Sequence, residues 1–202
     1  MIVSDKERQA PLTVQEAEPS HLARYQFALS FVKNTDRVLD VPCGSGYGTN
    51  LLATKAKTAT GIDIHPGAIQ HAQEFFAAQN INFLVADMQT IEASFSTQGT
   101  FDLITSFEGI EHIEKQEEFL AGISKLLTDD GYLIISTPRK PHGSPYHTVE
   151  FSLEAFKEIL SKNFVIEKMF GQIYTDIFDL ATRAENPADY HRFNFIALCR
   201  PR

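Results

Sequence analysis

The chain has 202 residues, a formal net charge of −8 and an isoelectric point near 5.3. Its length suits one domain with a substantial core, and no apolar run approaches the roughly 20 residues that span a bilayer. The polar start is unlike a secretory signal peptide. The two cysteines, Cys43 and Cys199, are far apart in the sequence and do not suggest a disulfide framework. The acidic net charge disfavours nucleic acid as a partner. We therefore expect a cytoplasmic protein without a membrane span.

The first 19 residues are polar and mixed in charge, and we interpret residues 1–19 as an N-terminal arm. Helical spacing begins at Ser20, a candidate N-cap, and places Tyr25, Ala28 and Val32 on one apolar face. We interpret residues 20–202 as a single domain that starts with this helix.

Short apolar runs then alternate with amphipathic stretches. The predicted strands are residues 37–41, 59–64, 81–86, 101–107, 131–137, 164–170 and 193–199, and the predicted helices are 48–57, 66–79, 115–127 and 152–161. Several of the strands are apolar on both faces, as parallel strands covered by helices require. The alternation predicts an α/β fold with a doubly wound, mostly parallel sheet. The last two strands lack a crossover helix between them, which indicates an antiparallel addition to the sheet.

A glycine-rich loop over residues 40–48 follows the first predicted strand. Gly44 and Gly46 allow a sharp turn, and the helix behind them offers free N–H groups to a ligand. Asp63 ends the second strand, where a carboxylate can bind ribose hydroxyls. Asp87 ends the third strand, where it can accept a hydrogen bond from an adenine amino group. This pattern predicts a nucleoside-containing ligand at the carboxyl edge of the sheet.

The order of these motifs resembles that of class I S-adenosylmethionine-dependent methyltransferases from about Ser20 to Cys199. The segments that carry the resemblance are residues 38–46, 61–63, 86–87, 101–104 and 126–131. The resemblance implies a Rossmann-like sheet of seven strands whose last strand is antiparallel, with S-adenosylmethionine as methyl donor. It also implies that Arg24 binds the methionine carboxylate. Pro42 departs from the family, in which many members carry glycine, and it removes one N–H donor from the loop.

Ten residues form the donor-binding set that we predict from these motifs. They are Arg24, Asp40, Gly44, Gly46, Tyr47, Asp63, Ile64, Asp87, Met88 and Phe107.

A second constellation follows the fourth predicted strand. Glu108, Glu111 and His112 are spaced i, i+3 and i+4, so one helical turn would direct all three to the same side. Two carboxylates and an imidazole suit Mg²⁺ or Mn²⁺. We predict a metal site formed by Glu108, Glu111, His112 and His147, with His142 as a weaker rival for His147. Glu111, His112 and His147 are also the predicted catalytic residues. The alternative is that the motif only packs or caps the turn.

The Glu-x-x-Glu-His motif resembles that of ubiquinone-biosynthesis O-methyltransferases and of small-RNA 3′-terminal 2′-O-methyltransferases. The start 21–28 and the segments 136–138, 146–152 and 170–172 resemble bacterial O-methyltransferases of polysaccharide and glycolipid biosynthesis. The leading hypothesis is therefore a metal-assisted O-methyltransferase of a sugar hydroxyl on a glycan or glycolipid precursor. The alternatives are a small catechol-like or quinone-like acceptor, an RNA 3′ end, and a non-catalytic S-adenosylmethionine-binding partner protein.

Residues 172–192 form a polar, irregular stretch that includes Tyr174, Arg183 and Tyr190. It lies between the last two predicted strands, where substrate elements are often inserted. We predict either an acceptor lid or a homodimer contact there.

Overall fold

The computed structural model describes residues 9–95, 99–183 and 193–202. Eight strands form one sheet in the order β3-β2-β1-β4-β5-β8-β6-β7. The strands are β1 Arg37–Asp40, β2 Thr58–Asp63, β3 Ile81–Val85, β4 Phe101–Phe107, β5 Leu127–Pro138, β6 Phe164–Ile173, β7 Asp176–Asp179 and β8 Phe193–Pro201. The pairs among β1 to β5 are parallel, and β8 is antiparallel to both β5 and β6.

Helices cover both faces of the sheet. They are α1 Pro19–Leu29, α2 Tyr47–Ala53, α3 Pro66–Phe75, α4 Ile91–Phe95, α5 Gln116–Leu126 and α6 Leu153–Ser161. Residues of α1, α2 and α3 share one apolar cluster with the sheet, and residues of α4, α5 and α6 share another. The predicted Rossmann-like α/β fold with an antiparallel last strand is thus confirmed. None of the helices in the described ranges is long and apolar enough to cross a membrane.

The strand order reverses beside β1, whose neighbours are β2 and β4. In open α/β sheets, the crevice outside the carboxyl ends of strands at such a reversal is the usual ligand site. The loops after β1, β2, β3 and β4 therefore meet at one edge, as the sequence motifs require.

One detail at the start of the chain differs from the prediction. The N-cap of α1 is Glu18 and not Ser20, because the Glu18 carboxylate accepts from the amides of Ser20 and His21 while Pro19, which has no N–H, occupies the first turn. The described part of the predicted arm packs on the domain. His71 Nε2 on α3 lies 2.8 Å from the carbonyl oxygen of Pro11, and Ala17 is buried.

The sheet has one strand more than the seven predicted. β6 continues to Ile173, and β7 pairs with it as a hairpin, so residues 172–179 are regular and not an irregular lid. β6 is held in the sheet by pairing with β8, a strand that is distant from it in the sequence. Tyr190, in the remainder of the predicted lid, lies outside the described residues.

Candidate active site

A cleft of about 650 Å³ opens at the carboxyl ends of β1, β2, β3 and β4. This volume is typical of small-ligand sites. Seven residues of the predicted donor set border it, namely Gly44, Tyr47, Asp63, Ile64, Asp87, Met88 and Phe107. All four residues of the predicted metal set border it as well, namely Glu108, Glu111, His112 and His147. The two predicted groups thus share one cleft.

Two backbone N–H groups of the glycine loop donate hydrogen bonds to β2. Cys43 N donates to Ile62 O at 2.7 Å, and Gly44 N donates to Asp63 Oδ2 at 3.1 Å. A Cβ at Gly44 would meet no atom within 4 Å, so the chain leaves free space on this side of the loop. Gly46 has a different role from the one predicted. Its φ is +91°, and a Cβ there would lie 2.5 Å from Ala72 Cβ, so it serves the packing of the loop on α3.

Asp40 lies behind the loop and not at the cleft, contrary to its predicted contact with the donor. Its carboxylate is fully buried and accepts from Thr49 Oγ1 at 2.6 Å, Thr105 Oγ1 at 2.8 Å and Tyr25 Oη at 3.2 Å. Burial raises the pKa of Asp40 to about 7, although these three hydroxyls oppose the rise. Asp40 therefore connects α1, α2 and β4 beneath the loop.

The two acids that follow β2 and β3 are placed as predicted. Asp63 lies at the cleft, where it also fixes the loop through Gly44 N and accepts from His65 N at 2.8 Å. Asp87 caps the 3-10 helix Met88–Thr90 by accepting from Gln89 N at 2.9 Å, and it borders the cleft with Met88. Each acid thus has a structural hydrogen bond in addition to any contact with a ligand.

Arg24 on α1 is 1% exposed and does not itself border the cleft. Its Nη1 donates to Gln172 Oε1 at 2.7 Å, whereas Nε and Nη2 have no hydrogen-bond partner among the described residues. Its positive charge acts on two residues that do border the cleft. It adds to the effect of burial in lowering the pKa of His21, and it partly opposes burial, which raises the pKa of Tyr47. A buried guanidinium with unsatisfied donors is costly unless an anion completes it. The surroundings of Arg24 therefore fit a carboxylate ligand.

His21 is a cleft residue that we did not assign from the sequence. Burial, followed by the nearby charge of Arg24, lowers the pKa of His21 to about 4, so the imidazole is neutral near pH 7. The spacing of His21, Arg24 and Tyr25 on α1, at i, i+3 and i+4, is the signal that could have identified this functional face.

Glu108 departs from the predicted geometry. The 3-10 turn covers only Ile110–His112, and Glu108 precedes it with φ +52°. This left-handed conformation is costly for a residue other than glycine and is typical of functional sites. Ser136 Oγ donates to Glu108 Oε1 at 2.8 Å. The carboxylate is therefore held toward β5 and does not share one face with Glu111 and His112.

Pro42 explains the glycine that follows Glu108. A Cβ at Gly109 would collide with the ring of Pro42. The residue that departs from the family pattern in the donor loop thus packs directly on the Glu108–His112 segment, and it couples the two motifs.

The remaining three residues of the predicted metal set lie together. Ligand atoms of Glu111, His112 and His147 are all within 4.8 Å of one another. Glu111 is 1% exposed, and its Oε2 accepts from Thr137 Oγ1 at 3.2 Å. Its Oε1 has no hydrogen-bond partner within residues 9–95, 99–183 and 193–202. Burial, and then the charge of Glu108, raises the pKa of Glu111 well above its usual range. An unsatisfied buried carboxylate oxygen beside two imidazoles fits a divalent cation.

The loop that carries His147 is fastened to the turn that carries Glu111. Thr148 N donates to Glu111 O at 2.8 Å, and Thr148 Oγ1 lies 2.6 Å from Ile113 O. The His147 ring packs edge-to-face on His112 and stacks on His142, with centroid distances of 5.0 and 4.7 Å. A cluster of three imidazoles therefore lines part of the cleft.

Comparison with known proteins identifies the family. Residues 32–191 match a family described as a methyltransferase domain. The chain belongs to this family. Together with the fold, this makes it a class I S-adenosylmethionine-dependent methyltransferase, with S-adenosylmethionine as methyl donor.

Individual relatives agree with this methyltransferase assignment. A probable S-adenosylmethionine-dependent methyltransferase of Mycolicibacterium smegmatis is 27% identical over 144 residues, which are 66% of this chain and 54% of that protein. The mitochondrial ubiquinone biosynthesis O-methyltransferase of Schizosaccharomyces pombe is 28% identical over 104 residues, which are 50% of this chain and 37% of that protein. This methyltransferase spans about half the length of the first of these relatives.

The same fold occurs in the crystal structure of the N-methyltransferase NodS from Bradyrhizobium japonicum with S-adenosyl-L-homocysteine. The two chains superpose with a TM-score of 0.71 at 20% identity, covering 92% of this methyltransferase and 89% of NodS.

Proposed function

We propose that this methyltransferase is an O-methyltransferase that acts on a sugar hydroxyl of a glycan or glycolipid precursor with the help of a divalent cation. One observation carries the proposal: the group formed by Glu111, His112 and His147 lies in the same cleft as the donor loop. A donor site alone would not require a buried carboxylate oxygen that lies beside two imidazoles and has no hydrogen bond to any described residue.

The donor end of the cleft has the groups that S-adenosylmethionine requires. Asp63 offers acceptors to the ribose hydroxyls, and Asp87 lies where an adenine amino group can donate. Arg24 is buried behind the cleft residues His21 and Tyr47, and its Nε and Nη2, which have no hydrogen-bond partner among the described residues, would bind the methionine carboxylate. The open side of Gly44 admits the ligand close to the backbone. When bound, S-adenosylmethionine supplies an electrophilic methyl group on a sulfonium.

The part of the cleft lined by the imidazoles would hold Mg²⁺ or Mn²⁺ through Glu111, His112 and His147. Their carboxylate and imidazole ligands suit these hard and borderline cations. A cation there would acidify a hydroxyl of the acceptor. We propose that His142 accepts the proton of this hydroxyl, because its ring stacks on that of His147 and it also borders the cleft. The acceptor oxygen then forms the bond to the methyl carbon as the bond to sulfur breaks, and S-adenosylhomocysteine leaves.

The lining of the cleft favours an uncharged acceptor. Among the described residues that border it there are several carboxylates but no lysine or arginine, so a phosphate would find no cationic side chain there. Tyr146 is 55% exposed at the cleft beside the imidazole cluster and offers an aromatic surface for the apolar face of a sugar ring. Two neighbouring sugar hydroxyls could chelate the cation.

A small catechol-like or quinone-like acceptor is the second candidate. The similarity to the ubiquinone biosynthesis O-methyltransferase of S. pombe favours it, because an aromatic vicinal diol can chelate a cation as a sugar diol does. A panel of purified glycans and catechols, assayed with radiolabelled donor, distinguishes the two candidates. Transfer to catechols alone would contradict the sugar proposal.

The cation is tested by comparing Glu111→Gln with Glu114→Gln, a matched change at an exposed position three residues away. We expect EDTA and Glu111→Gln each to lower turnover by about 100-fold or more, with Mn²⁺ restoring the EDTA-treated protein and Glu114→Gln remaining like the parent. S-adenosylhomocysteine affinity should stay unchanged in both variants. Full turnover in EDTA would show that the cluster is structural.

The same turnover assay, combined with a measurement of metal binding, distinguishes the roles of His142 and His147. His147→Ala should weaken Mn²⁺ binding, measured by electron paramagnetic resonance, and should lower turnover. His142→Ala should lower turnover while Mn²⁺ binding is retained. If His142→Ala retains full turnover, the proton is taken by another group.

A further inference from the structure

The guanidinium of Arg24 is held by two amides rather than by an acid. Nη1 donates to Gln172 Oε1 at 2.7 Å and, with the Asn194 amide in the orientation that satisfies its hydrogen bonds, to the Asn194 oxygen at 2.8 Å. Gln172 and Asn194 are directly opposite each other on β6 and β8. Two paired residues of neighbouring strands thus accept hydrogen bonds from the same nitrogen, Nη1 of Arg24.

Gln172 is itself fixed in place. It is 1% exposed, and its Nε2 lies 2.7 Å from both Ser20 O and Tyr174 O, so both amide hydrogens have acceptors. One of these carbonyls belongs to the first turn of α1, the helix that carries Arg24. The amide therefore sets both the position of the helix start and the direction of the guanidinium.

The choice of amides has an electrostatic consequence. A carboxylate at either position would form a strong ion pair with Arg24 and would cancel its charge. Amide oxygens direct the guanidinium without adding a negative charge beside it. Its Nε and Nη2 have no hydrogen-bond partner in the described part of the chain, so they can bind another anion. The field of Arg24 extends to His21, Tyr47 and Glu111, all at the cleft.

We infer that Gln172 and Asn194 are positioning residues that keep Arg24 aligned and uncompensated for the carboxylate of the methyl donor. The inference rests on the role proposed above for Arg24 and extends it to a residue pair on β6 and β8. It predicts that these amides determine how well the cleft distinguishes ligands that have the amino-acid end from ligands that lack it.

Binding calorimetry with two ligands tests this inference without acceptor, cation or turnover. S-adenosylhomocysteine carries the carboxylate, and 5′-methylthioadenosine shares the adenosine but lacks it. We expect Asn194→Asp to weaken S-adenosylhomocysteine binding by about tenfold or more, because a neighbouring carboxylate competes for Arg24. Binding of 5′-methylthioadenosine should remain as in the parent protein and also reports that the variant is folded. Asn82→Asp, an exposed change on β3, is the matched control and should alter neither ligand.

Two further variants make the result decisive. In an Arg24→Met background, which should itself lose affinity for S-adenosylhomocysteine, adding Asn194→Asp should have no further effect. Gln172→Met removes the acceptor without adding charge, should also reduce the preference for S-adenosylhomocysteine, and decides the matter if Asn194→Asp does not fold. Equal loss of both ligands, or of neither, in both amide variants would overturn the inference. Unchanged binding in Arg24→Met alone would overturn the carboxylate role of Arg24 as well.

Discussion

Asp40 illustrates how a residue can be essential to a site without bordering it. Its carboxyl group lies beneath the glycine loop and accepts from hydroxyls of α1, α2 and β4, namely Tyr25, Thr49 and Thr105. The loop therefore depends on a buried acid whose ionisation is costly. Because of this cost, we expect the free energy of unfolding to depend on pH.

The sign of this dependence follows from the raised pKa. In the unfolded chain Asp40 loses its proton near its ordinary pKa of about 4, whereas in the folded chain the pKa is about 7. Between these values the folded state retains a proton that the unfolded state has released, so stability falls as the pH rises through this window. Asp40→Asn has no proton to lose. We expect the free energy of unfolding of the parent, relative to this variant, to fall by about 3 kcal/mol from about pH 4 to about pH 7.

Urea unfolding of the parent and of Asp40→Asn at a series of pH values measures this difference. Asp129→Asn, an exposed aspartate, is the control, and its difference from the parent should be flat over the same window. Parallel curves for the parent and Asp40→Asn would show that the buried carboxyl has an ordinary pKa.

At the scale of elements, the imidazole side of the cleft depends on a loop without regular structure between β5 and α6. Thr148 fastens this loop to the turn after β4 through Glu111 O and Ile113 O. The fastening positions His147 against Glu111 and His112, which come from a different part of the chain. The arrangement of the cluster is therefore set by backbone carbonyls as much as by the ligand side chains.

Thr148→Val keeps the shape of this side chain and removes its hydroxyl. Because the backbone N–H of residue 148 still donates to Glu111 O, we expect a modest loss of stability, about 1 kcal/mol. Mn²⁺ affinity and turnover should fall several-fold, since the loop is less firmly placed, whereas S-adenosylhomocysteine affinity should not change. Thr54→Val on the surface at the end of α2, which also loses a hydroxyl-to-carbonyl bond, is the control for a purely local effect. An equal loss of donor affinity in Thr148→Val would contradict this division of the cleft.

At the scale of the whole molecule, the parallel core and the donor loop were predictable because they depend on local signals. The strands β1 to β5 could be recognised from their apolar runs, and the acids at their ends could be placed because parallel strands end at the same edge of the sheet. β7 and the end of β6 were missed because polar side chains such as Asp176 and Asp179 occupy β7, and because the end of β6 is fixed by pairing with β8, a strand distant in sequence. The hydrogen bond from Arg24 to Gln172 was missed for the same reason, because it joins residues 148 positions apart. The position of Glu108 was misjudged because a left-handed backbone interrupts the helical spacing that we assumed.

The net charge of −8 bears on the third hypothesis, methylation of an RNA end. The cleft adds to this charge, because its described lining has acids and imidazoles but no lysine or arginine. Affinity for RNA comes largely from cationic contacts with phosphates, so we expect no saturable binding of a short fluorescent RNA even at low salt, with anisotropy as the measurement. Added Mn²⁺ and S-adenosylhomocysteine should not change this result, whereas a neutral glycan acceptor should bind under the same conditions. RNA binding that weakens steeply as salt is raised would reveal a cationic surface outside the cleft and would move the RNA 2′-hydroxyl from third to first place among the candidate acceptors.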